Sequence, residues 1–240
     1  MSAVFTVCGL AALAFAAAIT LFLCLSGIPA IREIGFFKFI LGKVWNPTGA
    51  EPAYGILPFI LSSVYGTLGA VVLGVPMGIL CAAYMAKAAP RPIAAALSEA
   101  VNLLSGIPSV VYGLVGMIVL VPAVRNVFGL PDGASLFAAI LVLAIMILPS
   151  VISVSETAIK AVPREYEEGS LALGATRNET IFRVILPAAK SGIFASAVLG
   201  TGRAIGEAMA VMMVSGNVSN MPKLFKSVRF LTTAVASEMS

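Results

Sequence analysis

Four long stretches of this sequence carry no charge, and their lengths set the architecture that the pattern predicts. Charged residues are missing from Met1 to Ile31, Pro52 to Ala86, Ala100 to Val124 and Gly133 to Ser155. A hydrocarbon layer about 30 Å thick takes roughly 20 helical residues at about 1.5 Å each. The pattern therefore predicts membrane spans over 4–28, 58–85, 100–123 and 134–157. A fifth span, over 191–214, is apolar apart from Arg203 and Glu207. The first stretch lacks the basic start and short apolar core of a cleaved leader, so it reads as a retained helix. Pro108, Pro122 and Pro149 bend or end helices, and Gly74 and Gly78 form a small-xxx-small pair suited to close helix packing.

Between the first two spans, Phe37, Ile40, Leu41, Val44 and Trp45 recur at helical spacing, with Lys38 and Lys43 off the stripe. This predicts either an interfacial helix or one packed on the spans. The segment 160–190 breaks the apolar pattern. It holds five basic residues and the four acidic residues Glu165, Glu167, Glu168 and Glu179. Pro163 suits a helix start, the following glutamates suit the positive end of the helix dipole, and Gly174 suits the exit. Thr176 and Glu179 form a capping-box pattern that opens a second helix, whose Ile181, Val184 and Ile185 share a face. The prediction is a solvated helical hairpin. It is longer than a simple connection of about 2–8 residues requires, which favours a docking surface over a plain loop.

Composition agrees with a membrane chain. Of 240 residues, 60% are hydrophobic and 11% charged, with a net charge of +4. The mean hydropathy is +1.04. A nucleic-acid-binding role does not fit this balance. There is no His, and Cys8, Cys24 and Cys81 lie in apolar stretches, so neither a zinc site, nor a disulfide framework, nor a Ser-His-Asp arrangement is indicated. Orientation is undetermined by charge, because the short loops place seven Lys and Arg on each side.

Arg203 and Glu207 are the exceptional pair. Arg203 sits near the middle of the fifth span, where a charge costs at least about 2.5–3.5 kcal/mol and ordinarily faces a polar cavity or a partner. At i and i+4 of a continuous helix, Arg203 and Glu207 would meet directly. Mutual neutralisation is one reading, and an anion pathway is the other. A guanidinium offers a planar fork of donors matched to phosphate oxygens. Glu207 would then hold Arg203 when no anion is present, and would accept a hydrogen bond from protonated phosphate. Ser105 and Ser109 flank the Gly106-Ile107-Pro108 break and either line the same cavity or bond to helix carbonyls. Gly202 and Gly206 read as close-packing positions or as a hinge.

The run Glu168-Gly-Ser-Leu-Ala-Leu-Gly174, followed by nine residues and Val184-Ile-Leu-Pro187, resembles the EAA loop of ABC importer permeases. Gly169 and Ser170 stand where that motif has alanines, and Val184 where it has isoleucine. The wider text, ALGATRNETIFRVILPA and LGTGRAIGEAMAVMMVSGN, is similar to the phosphate importer branch, PstC type. So are LSEAVNLLSGIPSVVYGLVG, ILPSVISVSETAIKAVPREYEEG and FLTTAVASEMS. The resemblance implies an all-α polytopic membrane protein with the type I ABC importer permease (MetI-like) helix bundle, one permease domain over 1–240, in the bacterial cytoplasmic (inner) membrane. It implies a cytoplasmic hairpin at 160–190 and an external segment at 215–240. It also implies that Glu168, Ala172, Gly174, Ala175 and Arg177 contact an ATPase. The family generally has a sixth span after the Leu-Thr-Thr segment, before which this sequence ends. The implied partners are a PstA-type second permease, a PstB-type ATPase dimer, a PstS-type external phosphate-binding protein and membrane lipid. No phosphate-binding loop of the form G-x-x-x-x-G-K-[ST] occurs. ATP and magnesium are therefore expected on the partner, with no cofactor, metal or catalytic residue in this chain. The function implied is phosphate permeation. A permease for another oxyanion, a proton-driven secondary transporter using Glu207, and a scaffold subunit are the alternatives.

Overall fold

The computed structural model describes residues 2–238; Met1, Met239 and Ser240, the last two closing the FLTTAVASEMS run, lie outside the described residues. The chain divides into two compact units, Met1–Leu57 and Pro58–Ser240.

In the first unit, α1 (Ser2–Ile34) runs as one helix. From Val4 to Leu25 its side chains are exposed on all sides, with Val4, Phe15 and Phe22 each more than 60% exposed. An all-round apolar helix of this kind suits lipid rather than water. The stripe expected from Phe37 to Trp45 stops early. Helix α2 covers only Phe36–Leu41, and Gly42 is extended, with ψ 138°. Val44 and Trp45 therefore leave the helical face. Trp45 and Asn46 form β1, paired antiparallel with β2 (Ala53–Tyr54). The Asn46-Pro47-Thr48-Gly49 run between them carries turn chemistry that outweighs the helical spacing.

The second unit begins within α3 (Leu57–Ala83), which continues through a π-helical turn at Tyr84–Ala88. Next come α4 (Arg91–Gly106) and α5 (Ser109–Val115), then a π-helical turn at Gly116–Leu120 leading into α6 (Val121–Phe128). Helix α7 (Leu136–Lys160) precedes the hairpin helices α8 (Arg164–Ala172) and α9 (Arg177–Thr180). A third π-helical turn, Ile181–Ile185, joins α9 to α10 (Leu186–Ala188). The chain closes with α11 (Lys190–Gly206), α12 (Met209–Val214) and α13 (Leu231–Glu238). Two of the wide turns lie immediately before helices with proline at the second position, Pro122 and Pro187. A proline ring clashes with the carbonyl four residues back, and widening the turn relieves that clash.

Among the described residues, four helices are long and apolar enough to cross a membrane: Val4–Ile34, Leu57–Ala88, Ser109–Phe128 and Leu136–Lys160. The third differs from the expected 100–123 because Pro108 ends α4 and restarts the chain as α5. The fifth differs from the expected 191–214 because α11 stops at Gly206 and α12 begins at Met209. Helix α11 is also turned by 72° from the helical segment Arg177–Ala188.

Helix α7 is the centre of the core. Leu143, Ile147, Val151 and Ile159 are fully buried along it. Its packing against α3 uses the expected small pair. A Cβ on Gly74 would stand 2.8 Å from Ile147, and one on Gly78 would stand 2.7 Å from Val151. Near the chain end, Arg229 ties separate elements together. Its Nε donates to Asn217 Oδ1 at 3.1 Å, Nη1 pairs with Glu238 at 2.9 Å, and the guanidinium lies 5.7 Å from the Phe59 ring centroid.

Because Gly78 meets Val151 directly, Gly78→Leu is expected to destabilise the bundle by about 1–3 kcal/mol through overpacking. Gly9→Leu, in the open surroundings of α1, is expected to be neutral. Thermal unfolding of the two variants in detergent checks the contrast.

Candidate functional site

Helix α11 lies along α7 in an antiparallel seam of small side chains. A Cβ on Gly192 would clash with Ala158. The buried hydroxyls of Ser155 and Ser196 meet at 2.8 Å. A Cβ on Gly200 would stand 2.9 Å from Val151. At the end of this seam Arg203 Nη1 donates to Ser150 Oγ at 3.1 Å. Both residues are half-buried.

The expected Arg203–Glu207 pair does not form among the described residues. Helix α11 ends at Gly206, and Glu207 is extended with ψ 125°, so the two side chains no longer share a helical face. Glu207 instead stabilises the break. Its Oε1 accepts the Ala210 amide at 3.0 Å, and its carbonyl accepts the Thr232 hydroxyl at 2.8 Å. A carboxylate at a helix start satisfies an otherwise unpaired amide and opposes the dipole favourably.

A second break, at Ile107 and Pro108, is held by Tyr112, whose hydroxyl donates to the Leu104 carbonyl at 2.7 Å. Ser105, exposed, bonds the Asn102 carbonyl of its own helix at 2.8 Å. Ser109 is half-buried at the start of α5. The helices that follow the two breaks pack together. A Cβ on Gly113 of α5 would stand 2.8 Å from the Ala210 Cα of α12. The structure thus pairs Arg203 with Ser150 and packs together the helices that follow the two breaks, while Ser105 is committed to its own helix. Gly202 and Gly206 are exposed with no neighbour within 4 Å, so neither packs closely inside this chain. An adjoining cavity of about 380 Å³, lined by Leu104, Tyr112, Val115, Val119, Val142 and Ile145, contains no cation and offers an anion nothing.

The hairpin has the expected punctuation. Gly174 has φ +86°, a conformation that side-chain-bearing residues rarely adopt. Thr176 and Glu179 form both bonds of the capping box. These bonds to the backbone and hydroxyl of Thr176 hold the Glu179 carboxyl below its ordinary value. Ser170 and Thr180 hydroxyls, 2.9 Å apart, link α8 to α9. Ile181 and Ile185 are buried and Val184 half-buried, so the inward face is as expected. Lys87, in the π-helical turn after α3, pairs with Glu167 of α8 at 2.7 Å, with the two side chains 13% and 24% exposed. A polar cavity of about 380 Å³ beside this pair is lined by Lys87, Arg164, Glu167, Glu168, Leu171 and Arg177.

Glu168, Ala172, Gly174 and Arg177 are exposed, and Ala175 is half-buried. Sequence reasoning missed Leu173, which is 91% exposed at the tip. Its position just before the exit glycine was the available signal, because a residue there leaves the helix's inward face.

Residues 74–234 match the family described as "Binding-protein-dependent transport system inner membrane component". The chain is 40% identical over 237 residues to a probable ABC transporter permease protein, YqgH, of Bacillus subtilis (strain 168), covering 98% of this chain and 77% of that one. It is 32% identical over 244 residues to a phosphate transport system permease protein, PstC, of Haemophilus influenzae, covering 93% and 76%. For the PstC of Mesorhizobium japonicum the identity is 32%, with coverage of 88% and 70%. A solved amino acid ABC transporter shares the fold at a TM-score of 0.53 and 21% identity, over 77% of each chain.

The Glu179 carboxyl is lowered on folding, so its contribution is complete above its ordinary value of 4.5 and is lost as pH falls through the lowered value. Amides of residues 177–181 are expected to lose hydrogen-exchange protection on acidification through that range. Thr176→Ala is expected to lower protection at neutral pH and to flatten the acid dependence.

Proposed function

The chain belongs to the family of binding-protein-dependent transport system inner membrane components, and from that premise we propose that it carries inorganic phosphate. The family is one of non-catalytic membrane subunits of ABC importers, so this chain is a permease subunit that works with an ATPase partner. That membership sets aside the proton-driven and scaffold readings.

The observation that carries the phosphate reading is Arg203. Its guanidinium lies on the last turn of α11, just before the break at Glu207, with a single hydroxyl as hydrogen-bond partner among the described residues. Irregular backbone at membrane depth is tolerated where it lines a cavity or is buried in protein. A planar cation placed there suits a tetrahedral oxyanion better than an ammonium does. The PstC relatives add support, each being named as a phosphate transport permease. In this reading Arg203 receives phosphate. Glu207, with Oε1 on Ala210, accepts a proton-bearing phosphate oxygen and disfavours fully ionised sulfate. Ser109 lines the pathway at the second break, and Ser105, its proton held by the Asn102 carbonyl, offers only its oxygen there.

The hairpin is the proposed ATPase contact, made by Glu168, Ala172, Gly174, Ala175 and Arg177 together with Leu173. The hairpin would then be cytoplasmic and the segment 215–240 external. ATP and magnesium would reside on a PstB-type dimer, beside a PstA-type permease and a PstS-type binding protein. The relative from Bacillus subtilis has a name that states no substrate, so another oxyanion is the competing outcome.

Proteoliposomes holding the complete importer, loaded with ATP and given radiolabelled phosphate, test both halves. Arg203→Gln is expected to lower phosphate uptake at least tenfold, roughly the loss of a charge-assisted pair, while the ATPase still co-purifies. Leu173→Asp is expected to release or uncouple the ATPase. Uptake of sulfate in place of phosphate would overturn the substrate assignment. Full uptake by Arg203→Gln would overturn the site.

A further inference from the structure

Several hydroxyls on the helices of this chain bond back within their own helix. Thr20, Ser62, Thr157 and Thr201 each donate to the carbonyl four residues back, and Ser105 and Ser196 donate to the carbonyl three residues back. Such back-bonding is the ordinary way for a helical Ser or Thr to satisfy its proton inside an apolar layer. Ser150 makes no such bond among the described residues. Its Oγ accepts from Arg203, 53 residues away, and among the described residues its own proton has no acceptor. A hydroxyl has one donor and two acceptor sites. Here an acceptor site holds the guanidinium and the donor remains available beside it.

The backbone that carries this hydroxyl is held in the seam. Ile147 and Val151 both meet Gly200, where a Cβ would be 3.6 Å and 2.9 Å from them. Ser150 lies between these two residues, level with Gly200, and Arg203 lies about one turn beyond Gly200 on the antiparallel α11, from where its side chain reaches back to Ser150. The close approach at Gly200 therefore holds together the two backbones that carry the pair. Pro149, buried beside Ser150, further restricts the local backbone. A donor and a cation fixed on two packed helices form a pre-organised pair, as anion recognition requires.

We propose that Ser150 is a second ligand of the anion site: its O–H donates to the oxyanion that Arg203 holds, while its oxygen orients the guanidinium. The inference rests on the reading of Arg203 as the anion-binding cation. It makes Ser150 a specificity-determining residue for a tetrahedral oxyanion, since a donor pair held at fixed spacing favours a ligand with two acceptor oxygens in reach.

The test uses the complete importer in proteoliposomes, with the phosphate concentration varied and the uptake rate measured. Ser150→Ala is expected to raise KM for phosphate tenfold or more, roughly the loss of one hydrogen bond to a charged group. The maximal rate should stay within about twofold, because the helices and the ATPase contact are untouched. Ser150→Thr, which keeps the hydroxyl, is expected to restore KM to within about threefold. If Ser150→Ala does not assemble, Ser150→Cys keeps the volume with a far weaker donor and is held to the same KM criterion. An unchanged KM in the variant lacking the hydroxyl, with uptake abolished by Arg203→Gln, overturns the role of Ser150 and leaves the Arg203 reading intact. A fall in maximal rate that Ser150→Thr shares also overturns it, since that pattern marks packing. Full uptake by Arg203→Gln overturns the underlying reading itself.

Discussion

Hydrocarbon supplies no hydrogen bonds, so each backbone group released by a helix break must find a partner within the protein. This constraint accounts for the polar side chains around the breaks of the second unit. Where α4 ends, Tyr112 reaches back to the Leu104 carbonyl. Where α11 ends, Thr232 covers the Glu207 carbonyl and the Glu207 carboxylate covers the Ala210 amide. The start of α13 is held in the same way, with the Ser63 hydroxyl accepting the Leu231 amide and Thr233 accepting the Phe230 amide. The Leu231-Thr232-Thr233 run thus closes one break and begins one helix.

These repairs depend on how closely the helices approach. Gly74 and Gly78 bring α3 against α7, Gly192 and Gly200 bring α11 against it as well, and Gly113 and Gly116 bring α5 and the following turn against α12 and α7. In lipid there is little hydrophobic force between helices, so contact between backbones matters more than the bulk of the side chains. The large residues of α7 fill the remaining space. Their burial is nearly complete, with Leu143, Ile147 and Val151 at 0% exposure. Helix α1 shows the opposite case, a span with no buried side chain from Val4 to Leu25 within its own chain.

Much of this arrangement was legible in the sequence. Uncharged length located the apolar helices, because insertion in lipid imposes a requirement that composition alone reveals. The hairpin was legible because Thr176, Glu179 and Gly174 act within a few residues of themselves. Reading failed where the outcome depended on a distant partner or on an unmarked break. The i, i+4 rule joined Arg203 to Glu207 only by assuming a continuous helix, and no proline announces the end of α11 at Gly206. The stripe from Phe37 to Trp45 failed for a local reason that was present in Asn46-Pro47-Thr48-Gly49, since turn residues override a short periodic match. Ser150 had no signal at all: its role comes from a seam between segments about 50 residues apart.

The difference between the expected and observed partner of Arg203 changes the physics of the site. An arginine already paired with a carboxylate would have to exchange one anion for another, and the arriving ligand would gain only the difference between two similar interactions. A serine hydroxyl orients the guanidinium but neutralises none of its charge. Arg203 therefore retains its attraction for an anion while remaining fixed in direction. Keeping an unneutralised cation in a membrane is costly, and Arg203 is only half-buried by its own chain. Glu207, removed from the pair, is engaged at the start of α12. A change at that break would move the carboxylate relative to the cation, so the geometry of α12 bears on the charge around Arg203.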